Sequence, residues 1–123
     1  MTALALSGPA PQMPGLDRIR LRFVELLHDR KAEIAHYALA AWDGETAEDI
    51  NQNLENARGI LHQISGTAGT VGYPELGQTA QQCEAQIIAH LEGDYADLAI
   101  CPGDIIWFID TFVEACTNLT DQA

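Results

Sequence analysis

An imidazole needs access to act as a nucleophile, and the surroundings of His62 offer it. Gly59, Ser65, Gly66 and Gly69 stand three, three, four and seven positions from His62, on the same helical face, and none is bulky. A neutral imidazole keeps a ring-nitrogen lone pair near neutral pH, so it can attack a phosphoryl group without strong activation. Each interior glycine costs a helix about 1 kcal/mol relative to alanine, so Gly59, Gly66 and Gly69 together forgo roughly 3 kcal/mol of local propensity. The pattern predicts a bare helix surface that a second macromolecule can approach closely.

The run His62-Gln63-Ile64-Ser65-Gly66-Thr67-Ala68-Gly69-Thr70-Val71-Gly72, followed by Tyr73-Pro74-Glu75-Leu76, resembles the phosphorylation-site signature of histidine-containing phosphotransfer (HPt) domains. Ile64, Gly66, Thr67, Ala68 and Gly72 fit that signature, and the helical pattern from about Leu16 to Leu119 has the family's length and order. Ser65 departs from it, standing where the family usually has lysine or arginine. The resemblance implies that His62 is a phosphoacceptor in a two-component phosphorelay. It would take phosphate from the aspartyl phosphate of one response-regulator receiver domain and donate it to the aspartate of another, with a hybrid sensor kinase upstream. The chain would then be a phosphocarrier rather than an enzyme, with no cofactor of its own and Mg²⁺ supplied by the partner receiver.

Ser65, Gly66, Gly69, Arg58 and Glu84 are the expected neighbours of the phosphate. Helical side chains lean toward the N-terminus, so the residue three positions after His62 lies over its ring. Ser65 brings one hydrogen bond there and no charge. Arg58, four residues earlier, shares the face but leans away. Glu84 falls where the family often has Glu or Gln to bond the histidine's other nitrogen, which would fix the tautomer. Leu16 and Ile19 of the first helix, with Gly59, form the expected partner-docking face. The alternative that Ser65 favours is a degenerate HPt-like bundle that binds a receiver or kinase without carrying phosphate.

Apolar spacing predicts the elements that must position these residues. Ile50, Leu54, Ala57, Leu61, Ile64, Ala68 and Val71 alternate steps of four and three, a bundle-facing seam. His62 lies roughly 130° from its centre, on the solvent side. Thr46 is the expected N-cap of this helix and Gly72 its stop, and Pro74 opens the next helix. That next helix repeats the seam with Leu76, Ala80, Cys83, Ile87 and Leu91. After Gly93 and a loop through Cys101-Pro102-Gly103, with Asp104 as cap, the last helix carries Ile105, Ile109, Phe112, Cys116 and Leu119. At the other end Leu16, Ile19, Phe23, Leu26 and Leu27 keep helical spacing, the charged His28-Asp29-Arg30-Lys31 interrupts them, and Ile34, Ala38, Ala41 and Trp42 resume, which leaves open whether the two segments are separate or continuous. The expected fold is all-α, an antiparallel four-helix bundle with an additional N-terminal helix. Residues 15–120 form the bundle, and residues 1–14, with Pro9, Pro11 and Pro14, read as a flexible tail.

Composition narrows the partners. Six basic against 18 acidic residues give a net charge of −12 over 123 residues, which argues against nucleic acid and anionic membrane surfaces. No apolar run approaches the roughly 20 residues of a bilayer span, and Met1-Thr2-Ala3-Leu4-Ala5-Leu6 lacks the basic residues of a secretory signal, so a cytoplasmic monomer is expected. Cys83, Cys101 and Cys116 form no CxxC pair and read as free thiols, Cys83 and Cys116 in the core. Glu33 and His36 have a di-iron spacing without the second pair such a site requires, so no metal is expected. His28 and His90 read as surface residues, Trp107 and Phe108 as core.

Overall fold

The computed structural model describes residues 14–122, which form four helices: α1 (Pro14–Trp42), α2 (Ala47–Ala68), α3 (Pro74–Leu91) and α4 (Gly103–Gln122). There is no strand among the described residues. The expected tail lies outside them except for Pro14, the first residue of α1. α1 and α3 each pack on α2 and α4, so the four helices make a ring. Their side chains pair in reverse order, Arg58 with Glu84 and Asn51 with His90 between α2 and α3, so neighbours run antiparallel.

The expected additional N-terminal helix is not a separate element; it is the first half of α1. His28-Asp29-Arg30-Lys31 does not break the helix, because Leu27 and Ile34 are seven residues apart and both fully buried, which keeps the helical phase across two turns. The charged residues ride on the outer surface, and Lys31 uses its ammonium to tie α1 to α4 through the Thr117 and Thr120 hydroxyls, at 3.2 Å each.

All seven residues of the α2 seam are buried, as are Leu76, Ala80, Cys83 and Ile87 of α3 and Ile105, Ile109, Phe112 and Cys116 of α4. Burial pushes the Cys83 and Cys116 thiols up to about 12, so both stay protonated and behave as small apolar side chains. Leu26, Trp42 and Trp107 depart from the expected core. Trp42 is outside because Ala41, one helical step away, takes the inward position, and Trp107 is 63% exposed with only its edge against Phe108.

That terminal turn fixes the end of the His62 helix. Regular helix stops at Ala68, and the chain then closes through Gly72 at φ 101°, with Tyr73 N–H donating to Ala68 O at 2.8 Å and Gly72 N–H to Gly69 O at 3.3 Å. These are the paired bonds of a Schellman stop, whose left-handed position suits glycine. Arg20 secures it from α1, its Nε donating to Val71 O at 2.8 Å, a cation placed where helix carbonyls end. At the other end the Thr46 hydroxyl caps α2 by accepting from Asp49 N–H at 3.0 Å. Pro74 opens α3, while Asp104 lies within the first turn of α4 rather than at its cap. No helix among the described residues is long and apolar enough to cross a membrane.

His90 is part of the frame rather than a free surface residue. Its Nε2 lies 3.2 Å from Asn51 Oδ1, and the Asn51 amide donates to Ala96 O at 2.7 Å, so α2, α3 and the following loop are linked. Burial holds the His90 imidazole below its ordinary value.

This frame makes three predictions. Gly72→Ala places a side chain at positive φ and within 2.9 Å of the Arg20 guanidinium, so it should destabilise by about 1–2 kcal/mol in urea unfolding. Arg20→Met should cost about 1 kcal/mol through the same turn. Because the folded state disfavours the protonated form of His90, its contribution is complete above roughly pH 6.5 and is lost as pH falls below that. The stability of wild type relative to His90→Gln should therefore drop between about pH 7 and pH 5, and a pH-independent difference would contradict this.

Candidate functional site

His62 occupies the outward face of α2, its side chain 71% exposed. The α2 seam turns Leu61 and Ile64 inward, and His62, one step from Leu61, is thereby carried to the surface. Apart from the adjoining residues and backbone of the helix itself, nothing would lie within 4 Å of a Cβ built at Gly59, Gly66 or Gly69. The glycines face open space, so they do not serve close packing between helices within this chain. Gly77 of α3 lies close to α2, where a Cβ would stand 3.5 Å from Ala68 Cβ and from Ser65 O. α3 therefore runs close beside the His62 turn of α2.

From α3, Glu84 reaches the ring. It is the one charged residue buried among the described residues, 8% exposed, and its Oε2 lies 2.9 Å from His62 Nδ1. An ionised carboxylate only accepts, so with Glu84 in that form Nδ1 carries the hydrogen, and in the neutral ring the lone pair is then on Nε2. Nε2 has no protein partner among the described residues. The expected Glu84–His62 bond is thus present in the fold, with the histidine's other nitrogen turned to solvent.

Arg58 and Ser65 do not stand where a cation over the ring would. The Arg58 side chain bonds Glu55 through Nε, at 2.9 Å, and through Nη2, and its Nη1 lies 3.5 Å from Glu84 Oε2. The guanidinium holds the Glu55 carboxyl below its ordinary value, and the same bond raises that of Arg58. The Ser65 hydroxyl donates to the His62 backbone carbonyl at 2.9 Å, so its one hydrogen bond is spent on the helix.

Of the expected docking residues, Ile19 is 54% exposed, whereas Leu16 and Gly59 are half-buried. Sequence reasoning missed a cleft of about 140 Å³ between α1 and α2, lined by Phe23, Leu26 and Arg30 on one side and Gln63 and Thr67 on the other. It also missed Glu55, although a Glu three residues before Arg58 is a recognisable helical pair. Glu33 and His36 are exposed, and no three His, Cys, Asp or Glu side chains gather to hold a metal among the described residues.

Chemically, the arrangement is an accessible ring nitrogen whose opposite nitrogen is anchored on a carboxylate that also meets the Arg58 guanidinium, with no metal ligand set among the described residues. Residues 18–120 match the Hpt domain family. No curated protein and no solved structure matches the chain.

The openness around His62 has a consequence for stability. Gly66→Ala adds a methyl that meets nothing and removes backbone freedom from the unfolded chain, so it should raise stability by about 0.5–1 kcal/mol. Thermal unfolding checks this; a loss of stability would mean that the fold itself requires the glycine.

Proposed function

Because the chain belongs to the Hpt domain family of phosphotransfer-type histidine carriers, we propose that His62 is the residue that bears the phosphoryl group, on Nε2. The observation that carries this reading is the split environment of one ring: Nδ1 fixed by buried Glu84, Nε2 exposed on a glycine-lined surface. As the Nε2–P bond forms, positive charge develops on the imidazole. A carboxylate 2.9 Å from Nδ1 lies where it stabilises that charge.

The donor is the aspartyl phosphate of a receiver domain: the P–O bond to the carboxylate breaks as Nε2 bonds phosphorus, and the aspartate leaves as its anion. The reverse step passes the group to a second receiver. Phosphoryl transfer rests mainly on alignment and charge neutralisation. In this reading the receiver brings the Mg²⁺ and the cationic groups, and His62 brings an oriented lone pair. The protein acts as a monomeric cytoplasmic intermediate between a hybrid sensor kinase and its receivers, a carrier without catalysis of its own. The surface beside His62, with Ile19 and Leu26 of α1, is where the receiver docks.

The test is incubation with a panel of phosphorylated receivers, following acid-labile phosphate on this chain. Wild type should accept label. His62→Gln should accept none while its thermal midpoint stays close to wild type, because exposed substitutions typically shift stability by less than about 0.5 kcal/mol. Gly66→Leu should retain the fold and slow transfer, its side chain standing between the ring and the receiver. Full labelling of His62→Gln would remove His62 from the reading. Absence of label on wild type across the panel would favour a bundle that binds without carrying phosphate.

A further inference from the structure

The six Lys and Arg residues are Arg18, Arg20, Arg22, Arg30, Lys31 and Arg58, so α3 and α4 carry none and Arg58 is the single cation of α2. It is also the cation bonded to buried Glu84. Its Nε and Nη2 edge is taken by Glu55, whose side chain is 45% exposed, and Nη1 reaches the same Glu84 oxygen that accepts from His62 Nδ1. A connected series runs from solvent inward and back out: Glu55, Arg58, Glu84, His62.

Burying a carboxylate is costly unless it is paired and hydrogen-bonded. For the lone pair to face solvent on Nε2, the carboxylate oxygen that accepts from Nδ1 must stay aimed at it. The Arg58 guanidinium meets that same oxygen, its Nη1 lying 3.5 Å from Oε2. We propose that Arg58 is a positioning residue for His62, acting through Glu84: it holds the carboxylate aimed at Nδ1 and so leaves the reactive lone pair on Nε2. This rests on the carrier reading for its functional meaning, though not for its geometry. Arg58 touches neither the ring nor the incoming group. It supplies a cation at the orienting carboxylate, whereas the Ser65 hydroxyl is bonded to the His62 carbonyl. Arginine suits the task because its planar fork serves two carboxylates from different edges, which one ammonium does less well.

The experiment uses the full chain with ¹⁵N-labelled histidine and phosphoramidate as the probe. In that reaction Nε2 bonds phosphorus as the P–N bond breaks, its electron pair leaving with nitrogen as ammonia. Wild type should show His62 with hydrogen on Nδ1. Arg58→Met should shift the ring toward the Nε2–H tautomer and slow labelling on the order of tenfold, the effect of one lost charge-assisted hydrogen bond. Arg58→Lys should recover part of both. Glu55→Gln, a milder change at the exposed end, should move both in the direction of Arg58→Met, and Arg22→Met, a 72% exposed cation on α1, should move neither. Arg58→Met and Glu55→Gln both retaining the wild-type tautomer and rate would overturn the proposal. Failure of wild type to label at His62 would instead defeat the carrier reading, and the tautomer comparison would still decide the role of Arg58.

Discussion

A buried carboxylate must have partners, and the pairing of Glu84 organises the exposed chemistry of this bundle. With 8% of its surface exposed, it is met by the Arg58 guanidinium on one side and by His62 Nδ1–H on the other. Both partners come from α2 and Glu84 comes from α3, so the bonds exist only while the two helices hold their register. Gly77 packs beside Ala68 and Ser65 at one end, and the Asn51–His90 bond pins the other. The imidazole is therefore oriented by interhelix packing although most of its surface is in solvent. Orientation and exposure usually oppose each other, because a side chain in water samples several rotamers. Here one buried acid reconciles them.

The glycines around His62 fit the same division of labour. A helix with three glycines on one face gives up local stability, and the seam on its opposite face restores it, with every residue from Ile50 to Val71 in the pattern buried. The end of the helix is then fixed by backbone geometry at Gly72 and by Arg20 from α1. What remains outward is a rigid surface with little bulk beside the ring.

Much of this was legible in the sequence where one physical rule acts alone. The α2 seam, the Thr46 cap, the Gly72 stop and the Pro74 start follow from local periodicity and backbone preference, and each is present. A run of charge within α1 leaves one helix or two open in the sequence, and the seven-residue step from Leu27 to Ile34, both buried, shows one. Trp42 and Trp107 were placed inward by hydrophobicity, which does not distinguish positions one helical step apart. Glu84 was reached by resemblance, and its burial by the structure. The Arg58–Glu84 and Arg20–Val71 contacts join residues 26 and 51 positions apart, and only the packing of whole helices brings such pairs together.

The central claim is that His62 carries phosphate on the nitrogen opposite Glu84, and the isomer of phosphohistidine reports this directly. Nuclear magnetic resonance of the phosphorylated, ¹⁵N-labelled protein identifies which ring nitrogen is bonded to phosphorus through its one-bond coupling. The orientation imposed by the 2.9 Å bond at Nδ1 predicts coupling at Nε2 alone. Phosphorus on Nδ1 of His62, or on any other residue, would contradict it.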